Sequence, residues 1–155
     1  MKKINDLAKL DMLNSVLTEG ERYKATAYMT TAPGTVSVSQ FFGLLGFLVA
    51  SLFPDDGFSR QHGGYVGVTD SSIYFVVLAD FNASKVTNTV KVNFSDIRNI
   101  KVKDKWGAVT VTILTDSKEY SVSLPKKLIG TKLKNQSEDA TLVGELLGRL
   151  TNAVA

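Results

Sequence analysis

Hydrophobic and polar residues alternate over the segment ERYKATAYMTT, residues 21–31. Tyr23, Ala25, Ala27 and Met29 fall on one side of this alternation, and the polar and basic residues between them fall on the other. A period of two residues is typical of a β-strand with one buried face. The Ala-Pro-Gly sequence that follows ends the pattern. The segment is therefore predicted to form a half-buried first strand.

Six further strand patterns follow from residue 65 onward. YVGVTD and SSIYFVVLA are separated by a tight Thr-Asp-Ser turn, and WGAVTVTILTD and KEYSVSLP are joined through Asp116 and Ser117, so each pair predicts a β-hairpin. Between the hairpins lie the strand patterns NTVKVNF and SDIRNIKVKDKW. The residues expected to face inward in these two are Val90, Val92, Phe94, Ile100 and Val102. Recurrent alternation over seven strands indicates an antiparallel sheet with one solvent-exposed face.

Residues 1–18 are predicted to form an N-terminal amphipathic helix. Apolar residues recur there at helical spacing, at Ile4, Leu7, Leu10, Leu13 and Leu17. The two lysines that follow Met1 resemble the start of a signal peptide. Asp6, Lys9 and Asp11 interrupt the continuous apolar region that such a peptide needs, so the helix is the better interpretation.

A second amphipathic helix is predicted at residues 137–153. Ser137 is a suitable N-cap, and Glu138 and Asp139 in the first turn suit the helix dipole. The apolar stripe consists of Leu142, Val143, Leu146, Leu147 and Leu150. Gly144 and Gly148 lie near this stripe and would allow the helix to approach a sheet closely.

The stretch SQFFGLLGFLVASLFP contains no charged residue and belongs to an apolar insertion, residues 36–54, between the first two strands. A single membrane crossing, which needs roughly 20 apolar residues, would place the first strand across the bilayer from the others. An interfacial segment would usually carry flanking Lys or Arg, which are missing here. A helix that is apolar all round must instead be covered by protein. The N-terminal helix, a second copy of the chain, or both could supply that cover.

Composition and charge narrow the classes of function. A chain of 155 residues is the size of one domain, and the absence of cysteine excludes disulfides and thiolate metal sites and fits a reducing compartment. His62, the only histidine, is expected in a solvated glycine-rich loop, and Asp55 and Asp56 read as a polar stop after the apolar helix. We therefore expect no metal site, no cofactor and no enzymatic activity. The net charge of +3 is too small to indicate a nucleic-acid partner by itself.

Clustered lysines are the other candidate site. Lys101, Lys103 and Lys105 alternate along one predicted strand, and Lys126 and Lys127 follow the last strand. Such groups could contact anionic ligands or lipid head groups. The same pattern also marks a solvated face or a protected sheet edge, which is the commoner meaning. The mixture of aromatic and basic residues that nucleic-acid stacking platforms use is missing.

Three short motifs resemble the bacterial pleckstrin-homology-like family, of the PH and GRAM type. They are LTEGE before the first strand, YVGVTDSSIYFVVL, and VNFSDIRNIKV. The resemblance implies a mainly β fold spanning residues 1–155, a seven-stranded antiparallel barrel capped by a C-terminal α-helix. The apolar insertion departs from the family's plain pattern. Bacterial PH-like domains form rings, so the resemblance also points toward a homo-oligomer.

We therefore expect a binding or assembly module that self-associates or binds a protein partner through its apolar insertion. The side chains expected in this interface are Phe41, Phe42, Leu44, Leu45, Phe47, Leu48 and Leu52. The alternative is a peripheral membrane domain that uses the same segment and the surface lysines to contact anionic lipid. Either function would be exercised in the cytoplasm, with the inner face of the membrane as the site of the second.

Overall fold

The predicted fold class is confirmed by a computed structural model, which describes residues 4–31, 62–79, 82–116, 118–128 and 131–154. Within these ranges the chain forms a seven-stranded antiparallel sheet, an N-terminal helix and a C-terminal helix. The elements are α1 (Asp6–Val16), β1 (Ala25–Thr31), β2 (Gly63–Val68), β3 (Ser72–Ala79), β4 (Asn82–Asn93), a 3-10 turn (Phe94–Asp96), β5 (Ile97–Asp104), β6 (Ala108–Thr115), β7 (Glu119–Pro125) and α2 (Gln136–Val154). The helix predicted for the insertion lies outside the described residues.

The strands follow the order β4-β3-β2-β1-β7-β6-β5, so β1 lies at the centre of the sheet. β1 pairs with β2 from Ala25, opposite Val68, to Thr30, opposite Gly63. Its pairing with β7 covers only the last two residues of the strand, with Thr31 opposite Val122. β4 and β5 form the two edges, so hydrogen bonds do not close the described sheet into a complete barrel.

The main core lies between the inner face of the sheet and α2. Ala25, Ala27 and Met29 of β1 point into it, as the alternation predicted. Val92 and Ile100 are buried in the same core. Partly buried side chains of the predicted inward set also pack there, namely Val90, Phe94 and Val102. The period of two therefore identified the inner face of β4 and β5 correctly.

The start of α2 differs from the prediction. The helix begins at Gln136, so Ser137 lies inside its first turn and is not its cap. The buried Gln136 side chain accepts a hydrogen bond from the Tyr28 backbone N–H (3.0 Å) and donates to the Tyr28 and Pro125 carbonyl oxygens (2.9 Å each). These bonds fix the first helical residue to β1 and β7. In the predicted stripe, Leu142 is 41% exposed, because it lies at the margin of the face that packs on the sheet.

A second apolar cluster lies on the outer face of the sheet, beneath α1. Leu13 of α1 packs there with sheet residues that are almost fully buried, and these are Tyr28, Tyr65, Val76 and Leu78. The expectation of one solvent-exposed face is therefore wrong for β2 and β3, which are buried on both faces. Tyr23 belongs to this outer cluster and not to the face of Ala25, and its hydroxyl donates to the Leu13 carbonyl oxygen (2.6 Å).

The predicted apolar stripe of α1 is only partly correct. Leu13 is fully buried, but Leu7 and Leu10 are 70% and 43% exposed. Each step of three residues rotates about 60° backwards around an α-helix, so Leu7 lies roughly 120° from Leu13. Lys9 occupies the buried side instead, with its ammonium group 2.9 Å from the Asp139 carboxylate of α2. The aliphatic part of a lysine side chain can take such a place in an apolar contact.

Two glycines of α2 provide a matched test of helix packing. A Cβ at position 144 would lie 2.8 Å from Cγ1 of Val109 on β6, whereas a Cβ at position 148 would meet no atom within 4 Å. Alanine in a helix interior is favoured over glycine by about 1 kcal/mol. We expect Gly148→Ala to raise the free energy of unfolding by about 0.5–1 kcal/mol. Gly144→Ala should lower it, because overpacking costs about 1–3 kcal/mol.

Urea unfolding of the two variants beside the wild type measures this difference. Equal stabilisation by both alanines would contradict the close approach of α2 to β6.

Candidate functional site

The seven predicted interface residues, Phe41, Phe42, Leu44, Leu45, Phe47, Leu48 and Leu52, lie outside the described residues. The structure does describe the two points between which they are inserted. The Thr31 backbone N–H donates to the His62 carbonyl oxygen, and the His62 N–H donates to Thr31 Oγ1, both at 2.8 Å. The chain therefore leaves β1 and re-enters β2 at directly neighbouring positions.

The pairing of Thr31 with His62 argues against a single membrane crossing by the insertion. A chain that crossed a bilayer once between these points would separate its ends by a hydrocarbon core about 30 Å thick. Thr31 and His62 are instead hydrogen-bonded neighbours in one sheet. Neither helix of the described ranges has the length and apolarity needed to cross a bilayer.

His62 is buried, contrary to the expected solvated loop. Its side chain is part of a residue only 5% exposed, immediately before β2. The glycine-rich sequence around it was interpreted as a loop, but the following glycines belong to the strand. Gly64 lies so close to β3 that a Cβ there would be 2.3 Å from the Val76 carbonyl oxygen. Glycine here serves strand packing and extends the sheet to His62.

The candidate lysines lie along β5 and just beyond the ends of β5 and β7. Lys101 and Lys103 are exposed on β5, and Lys105 is exposed just after it. Lys127 is exposed beyond β7. Lys126 differs, because its ammonium group forms an ion pair with Asp104 and its side chain is only 21% exposed. The structure thus brings the two lysine groups together, with one of the five already paired.

Trp106 lies next to Lys105 in the chain and was not singled out from the sequence. It occupies the turn between β5 and β6 and is 99% exposed. Two backbone hydrogen bonds hold the turn: the Lys105 N–H donates to the Ala108 carbonyl oxygen (2.9 Å), and the Lys126 N–H donates to the Gly107 carbonyl oxygen (3.0 Å). The sequence signal for this position was the Trp-Gly pair between two strand patterns, which indicates a turn. A residue in a turn points away from both faces of the sheet.

The most connected polar group of the described residues is Glu21, just before β1. Its Oε1 accepts hydrogen bonds from the hydroxyls of Thr69 (3.0 Å) and Ser71 (2.8 Å) in the β2–β3 turn. Its Oε2 accepts from the Tyr74 hydroxyl and lies 3.3 Å from the Lys91 ammonium nitrogen. These contacts connect the entry to β1 with β3 and β4.

The hydrogen bonds stabilise the ionised form of Glu21. The Tyr74 hydroxyl contributes most, and together with Ser71, Thr69 and Lys91 it lowers the pKa of Glu21 from 4.5 to about 2, although burial acts in the opposite direction. A carboxylate whose two oxygens are already occupied by donors is a poor general base. The arrangement therefore serves to hold the fold together.

The Glu21 contacts also explain two of the motifs that resemble PH-like domains. LTEGE contributes Glu21, and Gly20 precedes it with φ +91°, a left-handed conformation that favours glycine. YVGVTDSSIYFVVL contributes Thr69, Ser71 and Tyr74. These motifs are thus a structural signature of how the first strand is fixed to the first hairpin.

Two further observations concern polar side chains of the described residues. Among the described residues, no three His, Asp or Glu side chains are grouped so as to hold a metal ion. A shallow depression of about 260 Å³ opens between β4 and the β6–β7 turn. Its Asp116 carboxylate is bound by the Arg98 guanidinium at 2.6 and 2.7 Å, and its Lys91 is paired with Glu21.

Comparison with known proteins supports the fold but shows no family. No protein-family model matches the chain, and no curated protein matches its sequence. The hSac2 domain from the human phosphoinositide phosphatase Sac2 is similar in structure, with a TM-score of 0.52 and 9% identity, covering 94% of this chain and 80% of that one. The C-terminal domain of an unknown protein from Leishmania infantum has a TM-score of 0.44 and 11% identity, covering 93% and 92%, which is too weak to carry an argument. The comparisons thus support a sheet-rich fold, and the bacterial PH-like family stays a resemblance.

The depressed pKa of Glu21 predicts a pH-dependent stability. Because the folded-state pKa lies below the unfolded value, the carboxylate's contribution is present above about pH 5 and is lost as the pH falls toward 2. We expect Glu21→Gln to lower the free energy of unfolding by about 1–2 kcal/mol at pH 7 and by much less at pH 2.5.

Urea titrations at the two pH values test this, with Glu145→Gln on the exposed face of α2 as the control. A deficit that is the same at both pH values would show that charge on Glu21 is not what stabilises the fold.

Proposed function

We propose that this chain is a non-enzymatic binding module that assembles with a second copy of itself through the apolar segment at residues 36–54. The observation that carries the proposal is the pairing of Thr31 with His62, which returns the two ends of the insertion to one point of the sheet. The apolar side chains between these ends then require cover from protein, since large exposed apolar patches are rare on stable monomers.

The cover available within one subunit is limited. α1 already uses its buried side, with Leu13, to cover the outer faces of β1, β2 and β3. Its other side exposes Leu7 and Leu10, which offer a small apolar surface. α2 is likewise committed to the main core through Val143 and Leu147. This distribution favours a second copy as the larger part of the cover.

The energetic requirement for such an assembly is modest. A specific interface buries about 800 Å² on each partner. Three phenylalanines and four leucines supply apolar area of this order, since a buried aromatic side chain alone accounts for about 150–250 Å². Each Å² of apolar area removed from water contributes about 25 cal/mol before the entropic cost of association.

We propose binding and not catalysis because the best-connected carboxylate, Glu21, already accepts hydrogen bonds on both oxygens. The human domain with a similar fold comes from a phosphoinositide phosphatase, and at 9% identity that likeness supports a shared fold and no shared reaction. The absence of cysteine fits a cytoplasmic site of action.

A second candidate function, contact with an anionic membrane surface, is favoured by a different observation. The β5–β6 turn carries a fully exposed tryptophan, Trp106, and exposed lysines precede it on β5 and follow β7. This surface is formed by described residues and does not depend on the insertion.

Self-association is tested by measuring the mass of the wild type and of Leu45→Asp with Leu48→Asp in detergent-free buffer. We expect the wild type to have a multiple of the monomer mass by light scattering and native mass spectrometry. Two carboxylates in an apolar interface should weaken association at least about 100-fold, because burying an unpaired charge is costly.

The matched control is Leu7→Asp with Leu10→Asp, which adds the same charge to the exposed side of α1. This variant should keep the wild-type mass. A monomeric wild type would refute self-association, and dissociation of only the α1 variant would assign the interface to α1 instead.

A further inference from the structure

We infer that the β5–β6 turn is a membrane-contact site, at which Trp106 enters the interface of an anionic bilayer while the lysines around it contact lipid head groups. The lysines concerned are Lys103, Lys105 and Lys127. The inference goes beyond self-association and does not require it. It identifies the part of the molecule that carries out the second candidate function and the chemistry of its partner.

The first support is the position of Trp106. Tryptophan is highly buried on average, yet this one is 99% exposed. The exposure does not come from a fraying end, because hydrogen bonds from Lys105 to Ala108 and from Lys126 to Gly107 hold the turn on both sides. A fixed turn thus presents a large indole to solvent. Tryptophan has its preferred place at membrane–water interfaces, where its ring sits at head-group level.

The second support is the concentration of charge around the turn. Residues 101–108 and 125–128 contain five lysines against one acidic residue, Asp104, a surplus of four positive charges. The whole chain carries only +3, so the rest of the molecule is slightly negative. Asp104 is paired with Lys126, which leaves the exposed lysines on both sides of Trp106 without a described acidic partner. A basic surface of this kind is complementary to anionic head groups.

The combination of these two features favours a bilayer over other anionic partners. Binding of a protein segment to a membrane surface is strengthened by buried apolar area and by electrostatic attraction to anionic lipid, and the turn offers both. Nucleic acid is bound along grooves in which several aromatic side chains stack on successive bases. Among the large hydrophobic residues exposed in the described part of the chain, Trp106 is the sole aromatic. A projecting turn with one indole fits insertion into an interface better than stacking along a strand.

The chain provides its own probe, because Trp106 is its only tryptophan. The experiment adds vesicles of phosphatidylcholine, with or without 30% phosphatidylserine (roughly the range of anionic leaflets), to the full chain and records tryptophan emission and co-sedimentation. We expect emission typical of exposed indole in buffer, a blue shift with anionic vesicles, and none with phosphatidylcholine alone. High salt should reverse the shift, because it screens the lysines.

Substitutions separate the contribution of the lysine charge from that of the Trp106 indole. Lys105→Gln should weaken binding to anionic vesicles roughly fivefold, the effect of one basic residue near a charged membrane. Trp106→Ala, followed by co-sedimentation, should weaken it by at least the same factor. Lys85→Gln removes an exposed lysine from β4, at the opposite edge of the sheet, and should change binding by much less.

Several results would overturn the inference. Co-sedimentation without a blue shift would place membrane contact elsewhere on the chain. Equal losses from Lys105→Gln and Lys85→Gln would mean that only overall charge matters. A shift produced by single-stranded RNA and not by anionic vesicles would identify a nucleic-acid partner. The masses of the wild type and of the leucine variants decide self-association independently of all these results.

Discussion

The fold depends on β1, the central strand that joins two halves of the sheet. One half is β4-β3-β2 and the other is β7-β6-β5. Within the described residues, the pairing of β1 with β2 extends over six residues, whereas its pairing with β7 involves Thr30 and Thr31. β1 therefore joins the two halves of the sheet, and its residues Ala25, Ala27 and Met29 lie in the core against which α2 packs. Gln136 fastens the first residue of α2 to this strand through both backbone groups of Tyr28. The core is therefore organised around one central strand and the helix bound to it.

Each end of β1 is secured by polar contacts of a different kind. Just before its start, Glu21 uses both carboxylate oxygens to bind the β2–β3 turn and Tyr74. At its end, Thr31 and His62 join β1 to β2 with a pair of 2.8 Å hydrogen bonds. The insertion leaves the sheet from this second point. Whatever covers the side chains of the insertion must therefore reach that position of the sheet.

Local patterns in the sequence predicted the strands well, but they did not predict that α1 covers the outer face of the sheet. Alternation found β1 and the inner faces of β4 and β5, because a period of two depends only on which side a residue faces. It could not show that α1 covers the outer face, since the near-continuous apolar run of β3 was interpreted as a hairpin strand with one exposed side. His62 was misplaced because glycines beside it suggested a loop, whereas Gly64 permits strands to approach. The exposure of Trp106 depends on turn geometry, which composition does not record.

The two halves of the sheet differ in how they are covered, and this difference explains where binding surfaces can lie. β2 and β3 are enclosed between α1 and the main core, so they present little to a partner. The outer face of β5, β6 and β7 carries no helix in the described residues, and most of its side chains are polar. Lys101, for example, lies opposite Thr112, which lies opposite Ser121. A solvated face of this composition costs nothing to leave open, and it lets positive charge collect toward the β5–β6 turn. Trp106 and Leu114 are the large apolar side chains exposed on this half of the described sheet, at 99% and 41%. The apolar surface that this half offers to a partner is therefore concentrated at the β5–β6 turn.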